Sequence, residues 1–369
     1  MITNTHLKRE VKDDYRCIVI SDIHGHLDRF KELLNKVNYT SNDYLIILGD
    51  FVEKGDQVID TIHYVRELDQ NDKTYVLAGN CEWAMMALLE IPELANEAPK
   101  YLKRVSANGC IREVVNKYHL YDGHETILGA QKKIREELKE ELKYLSTLPV
   151  SLKFNDFLFV HAGIERRKDY ENSSLSSLLE MQQFYKHGHV LDEIVVVGHL
   201  PTSNYDDHYI NNHVLIDLNK KIICVDGGTG VKQISQLNAL IIESTDGNIS
   251  YKTKSVQPLK SARVLKDEYY EDRVVSKIAF PYFEVEILEN GEEFSYCRQL
   301  VTENKLYIKN EFLYERHNKT YCLDDYTDAF ISLKKGDIVK VIGIYNKYTY
   351  VIYNNKVGWM KTDNLSIDF

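Results

Sequence analysis

The residues best suited to chemistry in this sequence are six side chains that follow short apolar segments. Asp22 and His24 stand two positions apart after the apolar segment 16–21, so an extended backbone would direct both to one side. The other four each follow a later apolar segment: Asp50, Asn80, His161 and His199. Hard oxygen donors together with imidazoles suit divalent Mn, Fe or Zn. One carboxylate, such as Asp50, can bridge two ions, and such a pair lowers the pKa of a bridging water and clamps an in-line phosphoryl displacement.

An alternation of strands and helices positions these residues. The apolar segments 16–21, 44–48 and 74–77 predict buried strands, and apolar residues at helical spacing follow the first two of them. In open α/β sheets, sites are built at the carboxyl ends of the strands. Residues from about 83 to 148 predict a helical insertion. Strands resume between residues 150 and 243, which suggests two sheets packed together.

The composition excludes several classes of protein. Among 369 residues, 46 are Lys or Arg and 56 are Asp or Glu, a net charge of −10, so we expect no nucleic acid partner. No run approaches the ~20 apolar residues that cross a bilayer, and the polar N-terminus lacks the core of a secretory signal. We therefore expect no membrane partner. Six scattered cysteines predict neither a disulfide framework nor a zinc knuckle and favour a cytoplasmic protein.

Five short blocks carry a family resemblance. They are Ser21-Asp22-Ile23-His24-Gly25, Gly49-Asp50-Phe51-Val52-Glu53-Lys54-Gly55, Gly79-Asn80-Cys81-Glu82, His161-Ala162-Gly163 and Gly198-His199. In this order they resemble the signature blocks of calcineurin-like metallophosphoesterases of the phosphoprotein phosphatase type, including bacterial and phage members and the diadenosine tetraphosphate hydrolases. The resemblance covers about residues 14–252 and implies a four-layer α/β/β/α sandwich.

The resemblance also implies a centre of two divalent metal ions, with Mn favoured and Fe or Zn as alternatives. On matching positions one ion would be held by Asp22, His24, Asp50 and His199. The second would be held by Asp50, Asn80 and His161, which makes Asp50 the bridge.

Three positions depart from the family pattern. Glu53-Lys54 stands where the family has Asp-Arg, and Cys81 stands where it has the His that protonates the leaving oxygen. Lys54 keeps a positive charge toward phosphate without the two-pronged guanidinium, and Arg166 or Arg167 could supply that guanidinium. Cys81 could be a small packing replacement, a surrogate acid or polar contact, or a redox-sensitive thiol.

The character of the chain changes toward its C-terminus. We predict a metallophosphoesterase domain at 1–255, a linker at 256–280 and an all-β module at 281–369. Within that module, residues 333–369 are similar to a bacterial SH3-type barrel. Its aromatic residues could line a groove for a peptide, protein or glycan ligand, or they could be the packing of the barrel itself: Tyr345, Tyr348, Tyr350, Tyr353 and Trp359.

Three functions remain open at this point. The first is a metal-dependent phosphatase acting on a phosphorylated protein or small phosphorylated metabolite, in which a metal-bridging hydroxide attacks phosphorus and Lys54 stabilises the developing charge. The second is hydrolysis of a dinucleoside polyphosphate or a diester with a good leaving group. The missing general acid favours this second function, because such an acid contributes roughly 10²–10⁴-fold for poor leaving groups. The blocks of the phosphoprotein phosphatase type, which carry no nucleotide-specific signature, favour the first function, and hydrolysis of phosphomonoesters is the activity that we predict. The third is a binding protein with a vestigial site.

Overall fold

The computed structural model of the chain describes residues 1–91, 93–94, 108–120, 128–206, 209–271 and 275–366. These residues form two compact units. Unit 1 comprises Met1–Thr202, His213–Val231 and Ser235–Val256. Unit 2 comprises Ser203–Asn212, Lys232–Ile234 and Gln257–Phe369. No helix in the described part of the chain has the length and the apolar run needed to cross a bilayer.

Unit 1 contains two mixed sheets. Its strands are β1 His6–Arg9, β2 Tyr15–Ile20, β3 Tyr44–Ile47, β4 Thr74–Val76, β5 Ser151–Phe154, β6 Phe157–Val160, β7 Ile194–Val197, β8 Leu215–Asp217, β9 Ile222–Cys224, β10 Leu237–Thr245 and β11 Asn248–Val256. One sheet has the order β11-β10-β2-β3-β4 and the other the order β1-β5-β6-β7-β9-β8. Apolar residues of both sheets, such as Val19 and Ile46 of the first and Phe159 and Val196 of the second, form one buried cluster. The α/β sandwich predicted from the sequence is therefore confirmed.

The helices of unit 1 follow the apolar periodicity of the sequence. They are α1 Leu27–Lys36, α2 Val58–Leu68, α3 Asn80–Glu90, α4 Cys110–Tyr118, α5 Leu128–Glu137, α6 Lys139–Leu145, α7 Leu175–Glu180 and α8 Phe184–His187. In α1, Leu27, Phe30, Leu33 and Leu34 lie on one buried face. Helices α3 to α6 belong to the predicted helical insertion, of which residues 92, 95–107 and 121–127 lie outside the described residues.

Unit 2 is all-β. Its strands are β12 Lys260–Val264, β13 Lys277–Ile278, β14 Glu284–Glu289, β15 Phe294–Gln299, β16 Lys305–Lys309, β17 Leu313–Arg316, β18 Lys319–Cys322, β19 Tyr326–Thr327, β20 Ile338–Tyr345, β21 Tyr348–Tyr353, β22 Lys356–Lys361 and β23 Leu365–Ser366. They form two five-stranded sheets, β16-β15-β14-β18-β17 and β22-β21-β20-β12-β23, and the pair β13-β19. The all-β character predicted for the C-terminal region is confirmed.

Two of the C-terminal aromatic residues pack inside unit 2. Tyr350 and Trp359 are fully buried, and their rings are stacked with centroids 4.5 Å apart. Tyr345 is half-buried with its ring 5.6 Å from that of Trp359. Offset aromatic pairs of this kind contribute to a core beyond their buried area. For Tyr350 and Trp359 the structure therefore favours the packing interpretation over a ligand groove.

The structure differs from the predicted linker at residues 256–280. Strand β12 lies in this stretch and pairs antiparallel with β20, in a register that joins Lys260 to Val341 and Arg263 to Ile338. Buried Ala262 and Val264 pack into the apolar cluster of this sheet. A five-residue strand between polar residues carries a weak sequence signal, because only two of its residues face the core.

Unit 2 also includes two short segments from earlier in the chain. The ammonium of Lys232 lies 2.6 Å from Oδ1 of Asp325, and both side chains are buried. The ammonium of Lys277 donates to three backbone carbonyls of the other segment, those of Ser203, Asp206 and Tyr209. Buried ion pairs and hydrogen bonds of this kind tie both segments to the all-β unit.

Candidate metal centre

The candidate site lies where strands of both sheets of unit 1 end. β2, β3 and β4 run parallel in one sheet, and β6, β7 and β9 run parallel in the other. The residues that follow these strands are Asp22, Asp50, Asn80, His161, His199 and Asp226. The backbone N–H of His199 donates to Oδ2 of Asp22 at 3.0 Å. Nε2 of His161 lies 3.5 Å from Oδ1 of Asp50, so side chains from the two sheets meet here.

Several of these residues have a left-handed backbone. The φ angle is +55° at Asp22, +49° at His24, +52° at Asp50 and +68° at His199. Such angles are uncommon for residues other than glycine. Each costs on the order of 1–3 kcal/mol, and such residues concentrate at functional sites. Their concentration at these strand ends is therefore a second, independent indication of a site.

Asp22, His24 and Asp50 form what we call the first donor group. Nδ1 of His24 donates to the carbonyl of Val52 at 3.3 Å, which leaves the lone pair on Nε2. That Nε2 lies 3.7 Å from Oδ1 of Asp22 and 3.9 Å from Oδ2 of Asp50. All three side chains are buried. A backbone carbonyl that fixes the histidine tautomer in this way is typical of metal-binding imidazoles.

Asn80, His161 and His199 form the second donor group. Oδ1 of Asn80 lies 3.1 Å from Nε2 of His161 and 2.8 Å from Nδ1 of His199. Nδ1 of His161 donates to the carbonyl of Leu48 at 2.7 Å, so its Nε2 also carries the lone pair. The resemblance implied that His199 belongs with the first donor group. The structure instead places its imidazole beside Asn80 and His161.

The two donor groups fit divalent metal ions. Oδ1 of Asp22 is buried and accepts no hydrogen bond from any residue that the structure describes. The ammonium of Lys54 lies 3.0 Å from Nε2 of His24, so a cation already stands beside this lone pair. Burial by itself would lower the pKa of Lys54, but the surrounding negative groups outweigh it and raise that pKa. Carboxylate and amide oxygens with imidazole nitrogens are donors that suit divalent first-row metals.

Burial dominates the protonation of these residues. It raises the pKa of Asp22, and repulsion from Asp50 adds to the effect. It lowers the pKa of His24 to about 3, aided by the charge of Lys54, and that of His199 to about 4. Burial would also raise the pKa of Asp50, but neighbouring imidazoles and an ammonium hold that pKa below its usual range. Asp50 is therefore ionised and these two imidazoles are neutral, which are the metal-binding forms.

Glu82 is a residue of the site to which the sequence analysis assigned no role. It is fully buried. Its carboxylate accepts four backbone N–H groups: those of Gly79 at 2.7 Å, Asp50 at 2.9 Å, Phe51 at 3.0 Å and Val52 at 3.2 Å. Burial raises the pKa of Glu82 to about 7. Because three of these donors belong to the loop of Asp50, Glu82 positions that loop. A glutamate three residues after Gly79, at the start of α3, is the capping signal that could have indicated it.

Cys81 faces the first donor group. Its backbone N–H donates to Oδ1 of Asp50 at 2.8 Å, and its Sγ lies 3.0 Å from Oδ2 of the same carboxylate. Burial, followed by the charge of Asp50, raises the pKa of the Cys81 thiol well above its usual value. The thiol therefore donates to Asp50. Of the interpretations drawn from the sequence, the structure favours the polar contact.

Glu53 packs at the start of α4. Its carboxylate lies against the start of α4, where a Cβ added to Gly109 would come within 2.4 Å of Oε1 of Glu53. The side chain is buried, and burial raises its pKa to about 8. By the resemblance, Cys81 stands where the family has its general acid, and Glu53 stands where it has the carboxylate that orients this acid; we call these two residues the acid position.

The two arginines considered from the sequence have other partners. Arg166 is exposed, and its Nη1 donates to the carbonyl of His187 at the end of α8 at 2.7 Å. Arg167 pairs with Asp169 at 2.9 Å and with Glu165 at 3.3 Å. Of the candidate cationic side chains, the structure brings Lys54 into contact with the donor groups.

Comparisons with known proteins agree with this geometry. A family model described as calcineurin-like phosphoesterase matches residues 15–226. A model described as variant SH3 domain matches residues 309–368, a span that begins before the 333–369 expected from the sequence.

Several similar proteins are curated as symmetrical bis(5'-nucleosyl)-tetraphosphatases. The one from Vibrio campbellii is 28% identical over 156 residues, which are 42% of this chain and 47% of that protein. The one from Actinobacillus pleuropneumoniae serotype 3 is 26% identical over 192 residues, 52% of this chain and 59% of that protein. The chain therefore spans about half the length of these relatives.

Solved structures are also similar to this chain. A protein serine/threonine phosphatase from Saccharomyces cerevisiae has 12% sequence identity and a TM-score of 0.41, with 68% of this chain and 82% of that chain covered. The family model spans more than half of the 369 residues and includes the strand-end residues of both donor groups. Because of this family-model match, the chain belongs to the calcineurin-like phosphoesterase family.

Proposed function

We propose that this chain is a two-metal phosphohydrolase whose substrates have a leaving group that needs no protonation, as in the phosphoanhydride of a nucleoside polyphosphate. The observation that carries the proposal is the orientation of Cys81, whose Sγ lies 3.0 Å from Oδ2 of Asp50 and is engaged there. The relatives named as bis(5'-nucleosyl)-tetraphosphatases support the same substrate class.

The donor groups supply the catalytic part of the proposal. Divalent ions bound by the two groups would activate water and offset the negative charge of a phosphate. Asp50 lies between the groups: its Oδ1 is 3.5 Å from Nε2 of His161 and its Oδ2 is 3.9 Å from Nε2 of His24. This position suits the carboxylate shared by two ions. Mn, Fe and Zn all fit the donors.

Lys54 is the chain's own charge for the substrate phosphate. Its ammonium lies beside the first donor group, and the surrounding negative groups raise its pKa, so it is a cation at neutral pH. A fixed positive charge in a site that excludes water stabilises the charge that develops on phosphoryl oxygens. A lysine does this as a point charge, without the bidentate geometry of an arginine.

A cavity next to Lys54 offers room for the rest of the substrate. It has a volume of about 360 Å³ and is lined by His26, Asp28, Arg29, Lys54, Gly55, Asp56, Gln57 and Asn108. Nδ1 of His26 lies 3.2 Å from the carbonyl of Ile23 and donates to it, which leaves Nε2 for a ligand. Arg29 and Lys54 are the cationic groups of this lining. A second phosphate of a polyphosphate chain is the kind of group that such a cationic pair would bind.

The leaving group decides between this activity and the phosphatase activity predicted from the sequence. An alkyl phosphate such as phosphoserine releases a strongly basic alkoxide, and a general acid accelerates that step by roughly 10²–10⁴-fold. A phosphoanhydride releases a phosphate that is already a weak base. A site whose thiol is bound to Asp50 and whose Glu53 lies against α4 is therefore better suited to the phosphoanhydride.

A leaving-group series on the purified full-length chain tests the proposal. We would measure kcat/KM for a symmetrical dinucleoside tetraphosphate, an aryl phosphate and a phosphoserine peptide, each with added Mn, Zn and Co. We expect the tetraphosphate and the aryl phosphate to react and the phosphopeptide to lag by roughly 10²-fold or more. Equal rates on the alkyl and aryl esters would overturn the proposal in favour of a phosphomonoesterase. A protein that binds no metal and hydrolyses none of the three would support a vestigial site.

A further inference from the structure

The thiol of Cys81 lies in the same cluster as the first donor group. The potential ligand atoms of His24, Asp50 and Cys81 all lie within 4.8 Å of one another, and all three residues are buried. Sγ of Cys81 is 3.0 Å from Oδ2 of Asp50, which is in turn 3.9 Å from Nε2 of His24. Zinc binds sulfur at about 2.3 Å and nitrogen at about 2.0–2.1 Å, so two ligands of one ion stand no more than about 4.4 Å apart. Small rotations of these side chains would therefore place one ion between all three.

We infer that Cys81 is a ligand of the ion held by the first donor group and that this site selects softer divalent metals, Zn or Fe, over Mn. The inference rests on the proposed metal site and adds a sulfur ligand to it. Oδ1 of Asp22, buried and without a hydrogen-bond donor among the described residues, gives an independent sign that a cation belongs at this point. Together Asp22, His24, Asp50 and Cys81 offer two oxygens, one nitrogen and one sulfur.

Binding of the ion by Cys81 needs no reactant other than the ion itself. The Sγ–H bond of Cys81 breaks, its proton passes to the solvent, and the sulfur lone pair forms the bond to the ion. No electron is transferred. Thiolate is a soft ligand, and soft ligands favour Zn and Fe over Mn, which prefers oxygen. A metal-bound thiolate also carries no proton to give, which agrees with the proposed lack of a general acid.

Among the buried cysteines that the structure describes in unit 1, Cys81 belongs to a cluster of three potential metal ligands. Cys110 provides the comparison, because it is also buried and also lies in the first turn of a helix, α4. In the described part of the chain, Cys110 belongs to no cluster of three potential ligands. It is therefore the matched control for substitution of Cys81.

The test is zinc K-edge X-ray absorption of the full-length chain loaded with zinc, for the unsubstituted protein and for Cys81→Ser and Cys110→Ser. We expect a sulfur shell at about 2.3 Å in the unsubstituted protein, its loss in Cys81→Ser and its retention in Cys110→Ser. Cobalt loading gives a second measurement, a thiolate-to-cobalt charge-transfer absorption that follows the same pattern.

The outcomes separate this inference from the proposed function. Zinc bound by nitrogen and oxygen alone in the unsubstituted protein overturns the inference, even if Cys81→Ser fails to fold, and leaves the proposed metal site in place. A sulfur shell that persists in Cys81→Ser also overturns it. A chain that binds no zinc or cobalt overturns both the inference and the two-metal function.

Discussion

The donor groups and the acid position lie in the same site but differ in how they are built. Asp22, His24, Asp50 and His161 direct carboxylate oxygens or imidazole lone pairs toward one another, and backbone carbonyls hold the other ring nitrogen of His24 and of His161. At the acid position, the thiol of Cys81 donates to Asp50, and Glu53 lies against α4. The contrast teaches that the ability to hold metal and the ability to protonate a leaving group are separate properties of this scaffold.

Substitution of Asp50 should reduce activity more than any other change proposed for this site. In Asp50→Asn, the site loses the charge that both groups share, and we expect kcat/KM for the aryl phosphate to fall by at least roughly 10²–10³-fold, the cost of one preorganised charged group. Metal content measured after dialysis should fall as well. The exposed Asp60→Asn is the control and should keep both. Full activity in Asp50→Asn would show that the donor groups are not the catalytic centre.

A smaller loss of metal affinity is expected when Glu82, which positions the loop of Asp50, is substituted. In Glu82→Gln, one carboxylate oxygen becomes an NH₂ group that cannot accept from the backbone N–H groups of the Asp50 loop. Residues that position metal ligands typically cost roughly 10–100-fold in metal affinity or activity when changed. Titration with zinc, beside the exposed control Glu67→Gln, measures the affinity. An unchanged zinc affinity would mean that the loop of Asp50 holds its conformation without Glu82.

An imidazole in place of the Cys81 thiol would restore the residue type that the family has at the acid position. In Cys81→His, we expect the ratio of phosphoserine to aryl phosphate hydrolysis to rise by roughly 10²-fold at most, the lower end of what general acids contribute. The ratio is the informative readout, because it cancels changes in metal binding. A ratio that stays at the value of the unsubstituted chain would show that an imidazole at this position does not reach the leaving oxygen.

The smallest effect is expected at Glu53. Burial raises the pKa of this carboxyl from 4.5 to about 8, so it is protonated near pH 6 and Glu53→Gln should keep activity there within roughly twofold. A raised folded-state pKa contributes stability that is present below pH 4.5 and lost as the pH rises to about 8. Glu53→Gln has no titrating carboxyl at this position. The difference between its free energy of unfolding and that of the unsubstituted chain should therefore increase from pH 4.5 to about pH 8, by on the order of 1–3 kcal/mol. Denaturant unfolding at pH 5 and pH 8 checks the sign, and a difference that shrinks with pH contradicts it.

The residues of the donor groups can be predicted from the sequence, whereas the contacts made at the acid position cannot, and the reasons are physical. Strand ends are readable from apolar segments, so the residues that follow them, such as Asp50 and His161, were found without the structure. The direction of a side chain is not encoded in the same way. Cys81 turns toward Asp50 because that carboxylate, 31 residues away in the chain, accepts both its N–H and its thiol. No local pattern carries that information.

Two other features depended on distant partners and were missed. Glu82 was readable as a helix-capping residue, but its bonds to Asp50, Phe51 and Val52 join segments about 30 residues apart. The resemblance implies that His199 belongs to the first donor group, whereas Nδ1 of His199 lies 2.8 Å from Oδ1 of Asn80 in the second. Spacing along the chain identifies donors, and only the packing of the two sheets decides which donors meet.

The two early segments of unit 2 have a consequence for any attempt to shorten this protein. A stop codon after residue 256 would remove Asp325, the ion-pair partner of Lys232, and it would remove the apolar side chains that cover Ile210 and Ile234. Exposing an isoleucine side chain of this kind to water costs about 1.5–3 kcal/mol. Recombination at a single crossover therefore cannot exchange unit 2 between proteins as one segment, because two parts of unit 2 lie within the sequence of unit 1.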